Sequence, residues 1–326
     1  MKTEILKMLR ESDAYISGQQ LCERFQVSRT AVWKVIKQLE QEGYHIEAVR
    51  NKGYRIVSYP DVLSKEEIDS LMKTERIGKS VVYYEETDST NTRVKQLAEQ
   101  GAVHGTLVVA DRQNAGKGRR GRGWESPSGK NIYMSLLLRP DMEPVKAPML
   151  TLVMALSAAE AIREKEGLDV KIKWPNDLVI GTKKICGILT EMSAEIDYIN
   201  YVVTGIGINT NIETFPDELK EKATSLYLEK GEKVKRAELI VLIMEKYEKN
   251  YEKFLCVKDL SFMQERYNEM LVNSGREVRV LEPGNEYNAY AFGINQTGEL
   301  LVRKENGEEE AVFAGEVSVR GIYGYV

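Results

Sequence analysis

The sequence predicts an α+β protein in three parts, and three observations carry that prediction. A short basic head reads as three helices closing on a hairpin. A long middle stretch clusters its strand patterns and flanks them with helices. From Gly275 onward the pattern becomes short alternating strands divided by turn signals. With 326 residues and 42% hydrophobic content, the chain is long enough for two or three compact domains with cores of their own.

In the head, residues 3–11 place Ile5, Leu6 and Leu9 on one side of a helix. Ser17 caps a second helix that runs to Phe25, and Gln26-Val27 turns the chain. Ser28 caps a third, residues 29–42, with Val32, Val35, Ile36 and Leu39 inward and Gly43 at its end. Two strand-like runs, 44–49 and 53–57, then flank Arg50-Asn51-Lys52. That order is a winged helix-turn-helix, assigned to residues 1–60. Residues 58–63, with Pro60, read as a linker.

The middle domain is assigned to residues 64–273. Its expected strands are 81–85, 105–111, 132–138, 169–173, 178–180, 184–191 and 201–208, and its expected helices 90–100, 148–166 and 236–255. The third domain, 274–326, is expected to be a small SH3-like β-barrel. Its strands are 277–281, 287–294, 300–304, 309–314 and 317–320, with turns at Pro283-Gly284-Asn285, Gln296-Thr297-Gly298 and Asn306-Gly307.

Bulk composition removes several function classes. Net charge is −4, but residues 1–57 hold ten Lys/Arg against seven Asp/Glu, so a basic head precedes an acidic remainder. No apolar run approaches the roughly 20 residues of a membrane span, and the start lacks a secretory signal. Cys22, Cys186 and Cys256 offer neither a disulfide framework nor a zinc spacing, which points to a reducing cytoplasm. Two histidines, His45 and His104, argue against a catalytic triad or a His-rich metal site.

Four segments carry candidate chemistry. Residues 111–122 sum to +4, five Lys/Arg against Asp111, and interleave Lys117, Arg119, Arg120 and Arg122 with Gly116, Gly118 and Gly121. Glycine lets backbone amides approach a ligand, and guanidinium groups bind phosphate and carboxylate bidentately. The same composition also reads as a solvated basic loop or an RNA-binding patch. It is not a Walker A loop. Next, Lys173-Trp174-Pro175-Asn176-Asp177 is a rigid turn presenting two polar side chains. Lys184 follows in an apolar strand, where an inward charge needs a carboxylate or phosphoryl partner. Gly205-Ile206-Gly207-Ile208-Asn209-Thr210-Asn211 is weak evidence alone, a strand end with close backbone approach. Thr87-Asp88-Ser89-Thr90-Asn91 reads as a helix cap or as a holder of a polar ligand.

Together these segments resemble the bacterial biotin–protein ligase family, in its bifunctional ligase/biotin-operon-repressor branch. The resemblance covers the whole chain and is most specific in Gly118-Arg119-Arg120-Gly121-Arg122 with Trp124, and in Lys173–Asp177 with Lys184-Ile185-Cys186-Gly187-Ile188-Leu189. Lys117 departs from the arginine common in the family's run. The resemblance implies a ligase domain of the class II synthetase/biotin-ligase type. It implies a reaction that joins biotin to ATP (as MgATP) and then transfers biotin to a lysine of a carboxylase carrier domain.

By that resemblance Ser89, Thr90, Asn91, Gln113, Lys117, Gly118, Arg119 and Lys184 bind biotin, with Trp124 and residues 185–189 lining the pocket. Lys117, Arg119, Arg120, Arg122, Trp124, Asn176, Asn209 and Asn211 take the nucleotide and its phosphates. Lys184, Arg119 and Asp177 are the catalytic candidates, Asp177 for placing or deprotonating the acceptor amine. In the head, Ser28, Arg29, Thr30, Lys34 and Lys37 suit a major groove, and Arg50 and Lys52 a phosphate or minor-groove contact. The expected partners are operator DNA, bound with steep salt dependence, and a second copy of the chain when the adenylate is bound. The rivals are a lipoate–protein ligase and a metabolite-sensing transcription factor without ligase activity.

Overall fold

Each apolar face of the head's helices finds a partner. In the computed structural model, which describes residues 1–282, 284–315, 318–321 and 325–326, α1 (Lys2–Glu11), α2 (Gly18–Phe25) and α3 (Arg29–Gln41) bury Ile5, Leu6, Leu9, Leu21, Val32, Ile36 and Leu39 in one cluster. Ser17 closes a reciprocal capping box with Gln20, and the Ser28 hydroxyl accepts from the Ala31 amide. β1 (His45–Val49) and β2 (Gly53–Ser58) pair antiparallel around the wing. Gly53 sits at φ +118°, and a Cβ there would fall 2.0 Å from the Ile16 carbonyl oxygen, so this position requires glycine.

The chain forms two compact units, Met1–Lys73 with Lys235–Val241, and Thr74–Val234 with Leu242–Val326. The first reaches past residue 60 because a helix absent from the sequence reading, α4 (Lys65–Leu71), joins it. Its buried Glu67 accepts from the Arg10 guanidinium at 2.7 Å and the Tyr44 hydroxyl at 2.6 Å. Asp61 likewise holds the Arg236 amide and guanidinium, both at 2.9 Å. A buried carboxylate demands such partners, and meeting that demand ties residues 61–71 and the start of a long helix to the head.

The second unit is built on a seven-stranded sheet. Its elements are β3 (Ser80–Thr87), α5 (Thr90–Glu99), β4 (Thr106–Gln113), β5 (Ile132–Leu138), α6 (Met149–Glu166), β6 (Val170–Lys173), β7 (Asp177–Ile180), β8 (Lys183–Ala194) and β9 (Ile199–Ile208). Strand order is β3-β4-β5-β9-β8-β7-β6, parallel between β3 and β4 and antiparallel elsewhere. β5 is buried at every position, and α5 packs on β4, β5 and β9. The short α7 (Asp217–Lys220) and α8 (Leu226–Lys230) follow, then α9 (Arg236–Val257) and α10 (Gln264–Met270).

One helical stretch, Pro144–Glu166, has the length and mean hydropathy of a bilayer-crossing helix, although its longest uncharged run, residues 147–159, is shorter than a span. Its most apolar window is 72% buried, and α6 packs against β6, β7, β8 and β9, so its apolar part is a core helix while its last two turns carry Glu160, Arg163, Glu164 and Lys165.

Five antiparallel strands complete the unit: β10 (Arg276–Glu282), β11 (Asn285–Ile294), β12 (Leu300–Lys304), β13 (Glu309–Val312) and β14 (Ser318–Gly321), ordered β13-β12-β11-β10-β14. β13 stops two residues short of the expected 314. Pro283 and Val317, both named in the sequence reading, lie outside the described residues.

Candidate active site

The site begins as a gap in the sheet surface. Gly187 of β8 pairs with Gly207 of β9, while Gly205 pairs with Leu189 on one side and Ser135 on the other. Alternate residues of a strand share a face, so Gly205 and Gly207 leave a bare strip that Gly187 widens. Other residues occupy it closely. A Cβ on Gly207 would lie 2.6 Å from Trp124 Nε1, and one on Gly187 would lie 3.1 Å from both the Trp124 ring and Lys184 Nζ. A Cβ on Gly205 would lie 2.0 Å from Asn91 Oδ1. Gly205→Ala is therefore expected to cost about 1–3 kcal/mol of stability through overpacking and to weaken ligand binding. Thermal unfolding and isothermal titration with biotin check this together.

The start of α5 forms one wall, and its cap differs from the expected one. Ser89 is the N-cap residue, but its side chain caps nothing. The Gln113 side-chain carbonyl instead accepts from the Thr90 amide at 2.8 Å and the Thr90 hydroxyl at 3.1 Å. Asn91 donates to Glu191 at 2.7 Å and accepts from the Ser135 hydroxyl at 2.6 Å. The Ser89 hydroxyl is thereby left facing the pocket rather than spent on the helix.

The basic loop supplies the opposite wall. Trp124 folds back through its amide to the Gly116 carbonyl at 2.9 Å, and Gly118 bonds the Arg122 carbonyl at 2.7 Å. The Trp124 indole N–H is buried with no hydrogen-bond acceptor among the described residues, a donor left beside Gly207. The Arg119 guanidinium donates to Asn176 Oδ1 at 3.0 Å and to the Ala314 and Gly315 carbonyls at 2.8 and 2.9 Å. Burial, then Arg120 and Arg122 nearby, lower its proton affinity, while Asp177 opposes them.

The third wall is the turn between β6 and β7. Trp174 is 1% exposed, and its indole donates to the Gly298 carbonyl at 2.9 Å. Its amide donates to Asn273 Oδ1 at 2.9 Å. A cis bond joins Trp174 to Pro175. Anchored so, the turn presents Asn176 and Asp177. Lys184 Nζ meets Asp177 Oδ1 at 2.6 Å and sits 5.2 Å from the Trp124 ring centroid. Thus the inward strand lysine has its carboxylate. The other Asp177 oxygen accepts from the Tyr325 hydroxyl. The Tyr325 ring lies 3.5 Å from Lys173 Nζ, and burial pulls that ammonium down to about 8, with Asp177 opposing.

The resulting pocket, about 50 Å³, is lined by Ser89, Thr90, Asn91, Gln113, Lys117, Gly118, Arg119, Trp124, Asn176, Lys184, Gly187, Ile188, Leu189, Gly205, Ile206 and Gly207. It gathers Ser89, Thr90, Asn91, Gln113, Lys117, Gly118, Arg119 and Lys184, with Trp124, but of residues 185–189 only Gly187, Ile188 and Leu189 line it, not Ile185 or Cys186. It does not gather all the nucleotide candidates. Arg120, at φ 57°, turns away and donates to the Leu281 carbonyl at 3.5 Å. Arg122 is exposed and is not among the residues that line this pocket. Asn209 spends its amide on the Thr224 carbonyl at 3.2 Å, and Asn211 is bonded in both directions to Val234. Both are buried where they order the loop after β9, away from the pocket lining. The sequence reading missed Tyr325, Ser135 and Glu191. Nothing local marked them, since each acts through a partner far along the chain.

Comparison with known proteins follows the same outline. The model of the biotin/lipoate A/B protein ligase family matches residues 83–209, a helix-turn-helix domain model residues 2–55, and the biotin protein ligase C-terminal domain residues 274–320. The bifunctional ligase/repressor BirA of Bacillus subtilis is 41% identical over 312 residues, covering 94% of this chain and 95% of the relative. Its Escherichia coli counterpart is 30% identical, covering 93% and 92%. The biotin protein ligase of Aquifex aeolicus, solved in complex with biotin and ATP, superposes with a TM-score of 0.66 at 33% identity, covering 74% of this chain and 99% of that one. This chain belongs to the family of bifunctional biotin ligase/repressors.

Proposed function

We propose that the pocket activates biotin with MgATP to biotinoyl-5′-AMP and passes the acyl group to one lysine of a carboxylase carrier domain. The observation that carries this reading is Lys184. Its ammonium faces the pocket, and its carboxylate partner Asp177 stands on the adjacent turn. When a substrate carboxylate oxygen attacks the α-phosphorus, pyrophosphate leaves and charge builds between two anions. Lys184 and Arg119 are placed to stabilise that charge, with the Mg²⁺ that arrives on the triphosphate adding to it. Ser89, Thr90, Asn91, Gln113 and the 117–118 backbone hold the polar ring of biotin, and Ile188 and Leu189 cover its chain. Lys117 and Asn176 take phosphate contacts, and Trp124 a nucleotide contact. Arg120 and Arg122 attract the triphosphate as exposed charges.

In the second half-reaction the acceptor amine attacks the acyl carbon, the C–O bond breaks, and AMP leaves with its electron pair. Asp177 places that amine or takes its proton. Asp177→Asn is expected to slow transfer from preformed adenylate by about a hundredfold, far more than it slows pyrophosphate release. Equal effects on the two half-reactions would remove Asp177 from this role. The reading as a whole is tested by incubating the protein with biotin and labelled ATP, following pyrophosphate release, then adding a carrier domain. Lipoate in place of biotin separates the related ligase activity.

The head binds operator DNA in this reading, with the adenylate as corepressor and a homodimer as the binding form. Ser28, Arg29, Thr30, Lys34, Lys37, Arg50 and Lys52 are all exposed, which suits a groove and its flanking phosphates. Domain limits near residues 60 and 273 and a cytoplasmic location belong to the same reading.

A further inference from the structure

The outer face of α3 carries one side chain that folding does not account for. Arg29, Trp33 and Lys37 recur at four-residue spacing, which aligns them along the helix. Thr30 and Lys34 lie beside them, and all five are exposed. Cations are ordinary on such a face, but an indole is not. Trp33 is 51% exposed, and it takes no part in the apolar cluster of the head. The inward face of α3 is already filled by Val32, Val35, Ile36 and Leu39.

We propose that Trp33 is a specificity-determining residue for DNA, seated in the major groove against the C5-methyl group of thymine. The proposal rests on the reading of the head as a DNA-binding module. Phosphate contacts fix register but carry no sequence information, whereas base-edge contacts do. Exposed Arg29, Lys34 and Lys37 flank the indole along α3 with positive charge, and the wing of the same head adds exposed Arg50 and Lys52, which suits a polyanion better than an apolar partner. Two of those cations are also held by neighbours: Arg29 donates to Gln19 at 3.1 Å, and Lys37 meets Glu40 at 2.5 Å. An indole has one N–H donor and no acceptor, so it cannot match the paired hydrogen-bonding edge of adenine. Its broad apolar face fits the apolar group that the major groove does present, the thymine methyl.

The test uses the full chain with biotin and MgATP, and duplexes selected from a randomised pool. Trp33→Ala is expected to bind the selected duplex about tenfold more weakly. Its affinity for a scrambled duplex should stay within about twofold, and its salt dependence should be unchanged, because the phosphate contacts survive. Replacing thymine by deoxyuridine, position by position, should weaken the unsubstituted protein about fivefold at one step at least and leave the variant indifferent there, a double-mutant cycle on a single methyl group. Should Trp33→Ala fail to fold, Trp33→Gln decides on the same two readouts.

A variant that keeps both the specificity ratio and the uridine profile overturns the proposal. So does an unsubstituted protein indifferent to every thymine methyl, or a variant that loses self-association while keeping its specificity. If the unsubstituted protein selects no duplex at all, the DNA-binding reading itself has failed and the proposal falls with it.

Discussion

Replacing Lys184 with glutamine is expected to slow adenylate formation by about two to three orders of magnitude, the usual effect of deleting one preorganised donor to developing charge. Two consequences compound. The ammonium is lost from the pocket wall, and Asp177, only 9% exposed, loses the cation 2.6 Å away. A carboxylate left without its cation in such a place is costly, although the Tyr325 hydroxyl and the Asn176 amide remain on it. The variant should therefore fold, with reduced stability and a damaged first half-reaction. Pyrophosphate release at saturating biotin and MgATP is the measurement. A rate within tenfold of the unsubstituted protein would show that Lys184 holds the turn and does not contact the reacting groups.

Arg119→Gly is expected to release the adenylate about ten- to a hundredfold faster, as the loss of one or two hydrogen bonds to a charged group implies. Bonds from its guanidinium join the loop to Asn176 and to the Ala314–Gly315 backbone. Glycine removes them and frees the loop. Free adenylate acylates any accessible amine, so the variant should label an unrelated lysine-rich protein added in trans. Retention of labelled adenylate on a desalting column gives the rate. Retention equal to that of the unsubstituted protein would mean that the loop is held closed by its own backbone bonds, such as Gly118 to Arg122 and Trp124 to Gly116.

The head was legible in the sequence because every signal in it is local. Ser17 and Ser28 cap within three residues, and Gly53 marks a backbone contact that a side chain would block. The strands of the second unit were equally legible, each within a few residues of its expected limits. What escaped depends on partners distant in the chain. α4 is a seven-residue helix with a weak pattern, and it belongs to the head because Glu67 finds Arg10 and Tyr44. In the site, the wall residues around Ser89, Gln113, Arg119 and Lys184 were named from motif. Asn209 and Asn211 were named from the resemblance, yet their amides are taken up by the backbone carbonyls of Thr224 and Val234. Neither motif nor spacing indicates which of four closely spaced cations turn inward: Lys117 and Arg119 line the pocket, while Arg120, with its left-handed backbone, does not.

The three bare positions at Gly187, Gly205 and Gly207 have a kinetic meaning. Trp124 rests on two of them and the pocket holds about 50 Å³, whereas sites for drug-sized ligands run from about 300 Å³ upward. A ring-bearing ligand is therefore expected to enter as the indole leaves. Its observed association rate should climb with concentration and then level off, at a ceiling set by how often that one side chain lifts from the sheet.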